Sequence, residues 1–331
     1  DLINRKDYAL GQMKEMGFID EEEFERAKKY EFKFIPQNLG LIKAPHFVMM
    51  AKEYLANKYG EDFLKKGGLK ITTTLDWNMQ QEAEIAIKEG AERNEKLYNG
   101  KNAALVAQDP KTGQILALMG SRDYFDIKNE GNFNVAASGL RQPGSSFKPF
   151  AYLTAFKKGY LPETIVFDAP TEFVPNNPNC PTIVNYSSPQ LTDCYHPENY
   201  DKKFRGPINL RNALSQSINI PAVKILYLAG VEDTVKTAQE LGITTLADPW
   251  RYGLSLVLGG GEIKLTDMVN AYSVFAQEGV KHEQKLILKI EDAYGNEIES
   301  FSSAATQVVE PQYIRMLNDI LSDEEARRPF L

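Results

Sequence analysis

The sequence predicts an α+β protein, and three observations predict it. Capped helical stretches fill most of the first hundred residues, short β-branched or apolar runs broken by turn residues recur along the chain, and an apolar helix follows a Gly-Pro turn near the middle. Residues 1–16 read as a helix with Gly17 as its C′ residue. Asp20 with Glu23 resembles a capping box opening a second helix to about Tyr30. Pro45 starts a third, which ends near Gly60. Ile71 to Leu75 is a β-branched strand, and Asp76 caps a helix whose expected apolar face is Met79, Ala83, Ala86 and Ile87. Ala103 to Ala107 and Gln114 to Met119 flank a polar Asp-Pro-Lys-Thr-Gly and read as strand, turn, strand. Phe150, Leu153, Thr154 and Phe156 give the middle helix a mostly apolar face. Gly259-Gly260-Gly261 lacks the Lys-Ser/Thr that grips a nucleotide phosphate, and reads as a turn before a helix capped at Thr266. Lys285 to Asp292 and Glu297 to Phe301 form a hairpin around Tyr294-Gly295-Asn296.

At 331 residues and 43% hydrophobic content, the chain has apolar material for one large domain and an appendage. A net charge of -7 argues against a nucleic-acid partner. His46, His196 and His282 are widely scattered, so no histidine-based zinc site is expected. No apolar run approaches the ~20 residues of a spanning helix.

Arg141 to Phe150, RQPGSSFKPF, carries the chemistry. Pro143-Gly144 turns the chain just before Ser145, and Pro149 sits in the first helical turn, where its missing N–H costs nothing. Ser145 and Lys148 are three residues apart and share a helix face. A hydroxyl is a poor nucleophile until a base removes its proton, so the pair reads as a serine nucleophile with a lysine base. At the start of a buried helix, backbone N–H groups and the dipole favour a developing oxyanion. Ser146 is rejected because its i+3 neighbour is Pro149. Downstream, Ser217-Ile218-Asn219 places a hydroxyl and a carboxamide where a tight turn would aim both into one cleft. The hydroxyl can relay a proton, and the amide can donate to and accept from a peptide. Alone, Ser-x-Asn is more often a turn or a helix cap.

With these two motifs in order, the chain resembles the transpeptidase part of a class A (bifunctional) penicillin-binding protein, a family marked by Ser-x-x-Lys, Ser-x-Asn and Lys-Thr-Gly. Segments 44–60 (APHFVMMAKEYLANKYG), 67–76 (GGLKITTTLD), 107–120 (AQDPKTGQILALMG), 195–201 (YHPENYD) and 256–279 (LVLGGGEIKLTDMVNAYSVFAQEG) also look like family segments in family order. The resemblance implies the penicillin-binding transpeptidase (serine β-lactamase-like) fold, an antiparallel sheet flanked by helices. It implies Ser145 as acylated nucleophile, Lys148 as base, Ser217 as proton relay and Asn219 as substrate ligand. The implied partners are peptidoglycan stem peptides, as D-Ala-D-Ala donor and amine acceptor, and β-lactams; no metal or organic cofactor is needed. The expected domains are a helical connector over 1–100, including the tail of an upstream glycosyltransferase region, and a transpeptidase domain over 101–331. The expected location is the extracytoplasmic face of a bacterial membrane, with the anchor upstream.

The third motif departs from the family. Lys111-Thr112-Gly113 precedes Ser145 and reads as a hairpin turn; the family's own Lys-Thr-Gly strand would follow a segment like 308–331, where this sequence stops. Losing one oxyanion donor costs roughly 100- to 1000-fold in rate. The opening at Asp1, with no initiator Met or signal peptide, leads us to expect an internal piece of a longer membrane-anchored protein. In an exported protein, Cys180 and Cys194 on a Pro/Asn/Ser-rich loop are expected to form a disulfide, the alternative being two independent small residues. A D,D-carboxypeptidase, which uses water as acceptor, and a non-catalytic substrate-binding piece remain open. A β-lactamase is disfavoured by the connector segments.

Overall fold

The Asp20 carboxylate accepts the Glu23 amide at 2.8 Å, and the Glu23 carboxylate accepts the Asp20 amide at 3.1 Å, so two amides that a helix start leaves unpaired are both satisfied. That reciprocal cap opens α2 (Glu21–Lys28), which follows α1 (Leu2–Glu15) through a turn where Gly17 takes φ +75°. The computed structural model describes residues 2–30, 42–65, 67–186 and 193–330. The chain divides into two compact units between Lys43 and Ala44. Residues 44–100, expected to act as a connector, thus lie in the same unit as everything that follows.

In that larger unit, Pro45 opens α3 (Pro45–Tyr59) and Gly60 ends it at φ +85°. A short α4 (Glu61–Lys65), strand β1 (Lys70–Thr73) and α5 (Trp77–Tyr98) follow. Asp76 caps α5 by accepting the Met79 amide at 3.0 Å. Antiparallel β2 (Leu105–Gln108) and β3 (Ile115–Met119) form the expected hairpin. α3 lays Phe47 and Ala51 against Ile115 and Leu118 of β3. The inward face of α5 holds Ala83 and Ile87 as expected, but Gln80 and Ala91 complete it, while Met79 and Ala86 are exposed. The cause is polar. Gln80 turns in and its Oε1 accepts the Leu118 amide at 2.9 Å, satisfying a strand group that would otherwise be buried without a partner.

The turn between β2 and β3 holds Lys111-Thr112-Gly113. The Asp109 carboxylate accepts the Lys111 amide at 3.0 Å and the Thr112 hydroxyl at 2.7 Å. Gly113 takes φ +76°, and a Cβ there would stand 2.1 Å from the Glu283 carbonyl oxygen, so only glycine fits.

The large core is built on α6 (Lys148–Lys157), every residue of which from Lys148 to Phe156 is buried. A single apolar face was expected; the observed helix is enclosed on all sides, as an all-round apolar sequence requires. Around it come β4 (Ile165–Asp168) paired with β5 (Gly206–Asn209), then α7 (Leu210–Ser215), α8 (Asn219–Ala229), α9 (Val231–Leu241) and α10 (Leu265–Ala276). β6 (Val280–His282) pairs with β9 (Ala305–Gln307), while β7 (Ile287–Glu291) pairs with both β1 and β8 (Glu297–Ser300). The chain closes with α11 (Pro311–Leu321) and α12 (Glu324–Arg327). Phe147, Phe150, Leu153 and Phe156 pack with Val223, Leu226, Val235, Val274, Ile314 and Leu317 in one cluster. Each such buried side chain contributes about 1.5–3 kcal/mol relative to exposure. All named pairings are antiparallel; among the described residues they form one three-stranded sheet and three two-stranded pairs. No helix of the described residues is long and apolar enough to cross a membrane.

Candidate active site

Gly144, at φ +60°, starts a 3-10 turn over Gly144–Phe147 that runs straight into α6. Ser145 lies in this turn and is exposed; Lys148, three residues on, is 1% exposed. The competing hydroxyl is occupied, since Ser146 Oγ donates to the Pro143 carbonyl at 2.6 Å and the Ser146 carbonyl accepts the Tyr272 hydroxyl at 2.8 Å. For Ser145 Oγ no hydrogen bond is found among the described residues.

What lies under that turn was not legible as such in the sequence. Gly259, at φ +96°, approaches so closely that a Cβ there would stand 2.3 Å from the Gly144 nitrogen. Gly260 and Gly261 also lack room for a side chain, against Ser255 and against Leu256 and Leu246. The triple glycine is a turn, as expected, but its use is to let two backbones meet behind Ser145. The helix after it has Lys264, not Thr266, in its N-cap position, and Lys264 makes no side-chain cap. An antiparallel bridge between Arg141 and Ile263 holds the chain there, and the buried Thr266 donates its amide to the Ala136 carbonyl at 3.1 Å.

The second motif turns as required. α7 ends at Ser215, Ser217 adopts φ +54° and α8 begins at Asn219. The left-handed residue reverses the chain and aims three oxygens at one point. Lys148 Nζ lies 2.5 Å from the Ser217 carbonyl, 3.1 Å from Ser217 Oγ and 2.9 Å from Asn219 Oδ1. Lys148, Ser217 and Asn219 are thus one hydrogen-bonded cluster, with Ser145 at the mouth of the same helix. The direct Lys148–Ser145 contact that the i, i+3 spacing suggests is not among the described hydrogen bonds; the amine reaches across to the turn instead. Among the described residues no carboxylate is a hydrogen-bond partner of this amine, and burial lowers its pKa from 10.5 to about 7. Near neutrality, roughly half of it is therefore an uncharged amine, which keeps N–H groups to donate to these oxygens and has a lone pair able to take a proton.

Asn219 Nδ2 donates to the Glu198 carbonyl at 2.9 Å, which fixes which end of the amide faces Lys148. Glu198 and its neighbour Asn199 were noticed in the sequence only as part of the 195–201 segment, without a role. A cleft of about 350 Å³ runs beside Ser217, walled by Tyr200, Lys203, Arg205, Gln216 and Pro329.

Away from this cluster, Cys180 and Cys194 are joined in a disulfide with Cα atoms 5.5 Å apart. Glu172 brings a carboxylate oxygen within 4.8 Å of both sulfurs, but those sulfurs are bonded to each other. The carboxylate is held by the Val174 and Tyr195 amides and by His196 Nδ1.

Comparison with known proteins gives one answer at the levels of family and fold. The family model of the penicillin binding protein transpeptidase domain matches residues 103–328. Penicillin-binding protein 2D of Bacillus subtilis is 32% identical over 297 residues, covering 88% of this chain and 40% of its own length. Penicillin-binding protein 1A of Aquifex aeolicus is 27% identical over 418 residues, covering 98% and 53%. The chain thus spans about half or less of these relatives. A crystal structure of penicillin-binding protein 1A from Haemophilus influenzae shares the fold with a TM-score of 0.70, at 19% identity over 96% of this chain and 63% of that one. The PonA1 protein of Mycobacterium tuberculosis in complex with penicillin V has a TM-score of 0.66 at 22% identity, over 84% and 70%.

Proposed function

The chain belongs to the penicillin-binding protein transpeptidase family, and from that premise we propose that it is a D,D-transpeptidase that cross-links peptidoglycan stem peptides through an acyl-enzyme on Ser145. The observation that carries this reading is the Lys148 amine, buried, shifted to about 7 and held against Ser217 and Asn219 beside an exposed serine.

The steps follow from that arrangement. Ser145 Oγ attacks the penultimate D-Ala carbonyl of a stem peptide. Lys148, exchanging one of its present acceptors for Ser145 Oγ as substrate enters, takes the proton. The oxyanion that forms stands at the N-terminal end of the turn and α6, where amides and dipole favour negative charge. The proton passes from Lys148 through Ser217 to the departing D-Ala nitrogen. Asn219 keeps the turn in register and offers its amide to the peptide. The amine of a neighbouring stem then attacks the acyl-enzyme carbonyl while Lys148 takes its proton; the bond to Ser145 Oγ breaks, the cross-link closes and the proton returns to Ser145 Oγ. A β-lactam carbonyl would be attacked by the same serine, a reading favoured by the relative solved with penicillin V. The proposal extends to a bifunctional cell-wall synthase at the extracytoplasmic face of the membrane, since the greater length of the relatives leaves room for a glycosyltransferase and an anchor.

The test is incubation with a stem pentapeptide ending in D-Ala-D-Ala and an excess of a D-amino acid as acceptor. Release of D-Ala together with an adduct carrying the acceptor amine is the expected result. Free acid alone would convert the reading to a carboxypeptidase, and no release by a folded chain would overturn it.

A further inference from the structure

The helix that presents Asn219 lacks a cap of its own. The N-cap position of α8 is Ile218, whose side chain cannot accept a hydrogen bond, and no side-chain cap is made there. The cap comes instead from twenty residues upstream. Asn199 Oδ1 accepts the amides of both Asn219 and Ile220, each at 3.1 Å. Its Nδ2 donates to Asp168 Oδ1 at 2.7 Å and to the Lys203 carbonyl at 2.8 Å. Asn199 is 3% exposed and all four of its hydrogen-bonding positions are used; its amide orientation is fixed by the two donors it faces. Asp168, at the end of β4, is fully buried and also accepts the Arg205 amide at 3.0 Å, with the Arg205 guanidinium 3.6 Å away. The preceding carbonyl, Glu198, holds the Asn219 side-chain amide. Residues 198 and 199 therefore fix both the backbone and the side chain of the residue that receives the Lys148 amine.

We propose that Asn199 is a positioning residue for the reaction: held by Asp168, it caps α8 and sets the Ser217–Asn219 turn at the distance from Lys148 that serine acylation needs. The inference rests on the reading of Ser145 as acylated nucleophile. Asn199 touches neither substrate nor Ser145; it acts through Asn219. A buried amide left without its acceptor would pull the turn away from Lys148, and the loss should fall on the acylation step more than on non-covalent binding of the inhibitor.

Acylation by a reporter penicillin, followed at saturating and sub-saturating concentrations, separates the rate of the chemical step from the binding constant. Wild type, Asn199→Ala and Asn199→Asp are compared, with folding checked by circular dichroism. Asn199→Ala should slow the chemical step roughly 10- to 100-fold and change the binding constant far less. Asn199→Asp keeps an acceptor for the two amides but sets a second carboxylate against Asp168, so its donor returns only when the pair shares a proton. Arg205, Lys224 of α8 and the Tyr186 phenol face the Asp168 side of that pair. The ratio of Asn199→Asp to wild-type rate should therefore rise as pH falls from about 8 to about 5.5, whereas a purely structural defect would leave it flat. If Asn199→Ala does not fold, that ratio decides. A wild-type chemical rate in folded Asn199→Ala, or a flat ratio, overturns the inference while leaving the function intact. A folded wild type that is never acylated overturns both.

Discussion

Lys148 is where the fold changes chemistry. Its ammonium would need water or a carboxylate, and among the described residues it has three neutral oxygens, so burial favours the uncharged amine and the pKa falls to about 7. The sign for catalysis follows directly. On the proposed mechanism, the amine above this pKa is neutral and takes the Ser145 proton; below it the competent fraction falls tenfold per pH unit. Acylation by a penicillin should thus be halved near pH 7 and drop about tenfold by pH 6, read from the pH profile of the rate. A profile flat from pH 6 to about 9 would remove Lys148 from the role of base. The turns that carry Ser145, Lys148, Ser217 and Asn219 were legible as candidates because each motif is local; the bonds from Lys148 to Ser217 and Asn219, rather than to Ser145, were not, because they span about seventy residues. Asn199 was not, because its partners Asp168 and Asn219 are 31 and 20 residues away in sequence. An Asn between Glu and Tyr in a loop looks like any turn residue.

At the scale of elements, the site is a meeting of three short pieces: the Gly144–Phe147 turn with α6, the Ser217 turn with α8, and the Gly259–Gly261 loop beneath the first. The loop adds no functional atom, yet the serine turn rests on it. Gly259→Ala should slow acylation at least tenfold, since its Cβ would overlap the Gly144 backbone and φ +96° disfavours any side chain. The measurement is the acylation rate of the folded variant; an unchanged rate would show that the turn can shift without consequence. Helix starts and ends marked by Asp20, Pro45, Gly60 and Asp76 were read correctly because caps are local chemistry. On the inward face of α5, Ala83 and Ile87 were read correctly and Gln80 was missed, because it is polar in sequence but buried with its bond to Leu118, a partner only the tertiary structure supplies. Thr266 looked like a cap for the same kind of reason: its context is set by Arg141 and Ala136, far upstream.

For the whole molecule, the pairings that shape the fold are long-range. β1 meets β7 with Ile71 opposite Ile290, and no local pattern announces a contact across more than two hundred residues. What the sequence did convey about architecture came through segment resemblance, and the match of the family model over residues 103–328 agrees with it. Long-range closure likewise brings Ser217 and Asn219 to Lys148, so the central claim concerns the assembled chain. Its most direct test is the intact mass of this chain after incubation with a penicillin, followed by peptide mapping, for wild type, Ser145→Ala and Ser146→Ala. One adduct mapping to Ser145, lost in Ser145→Ala and kept in Ser146→Ala, is the result predicted here. An adduct on any other residue, or none on a chain shown to be folded, would contradict it.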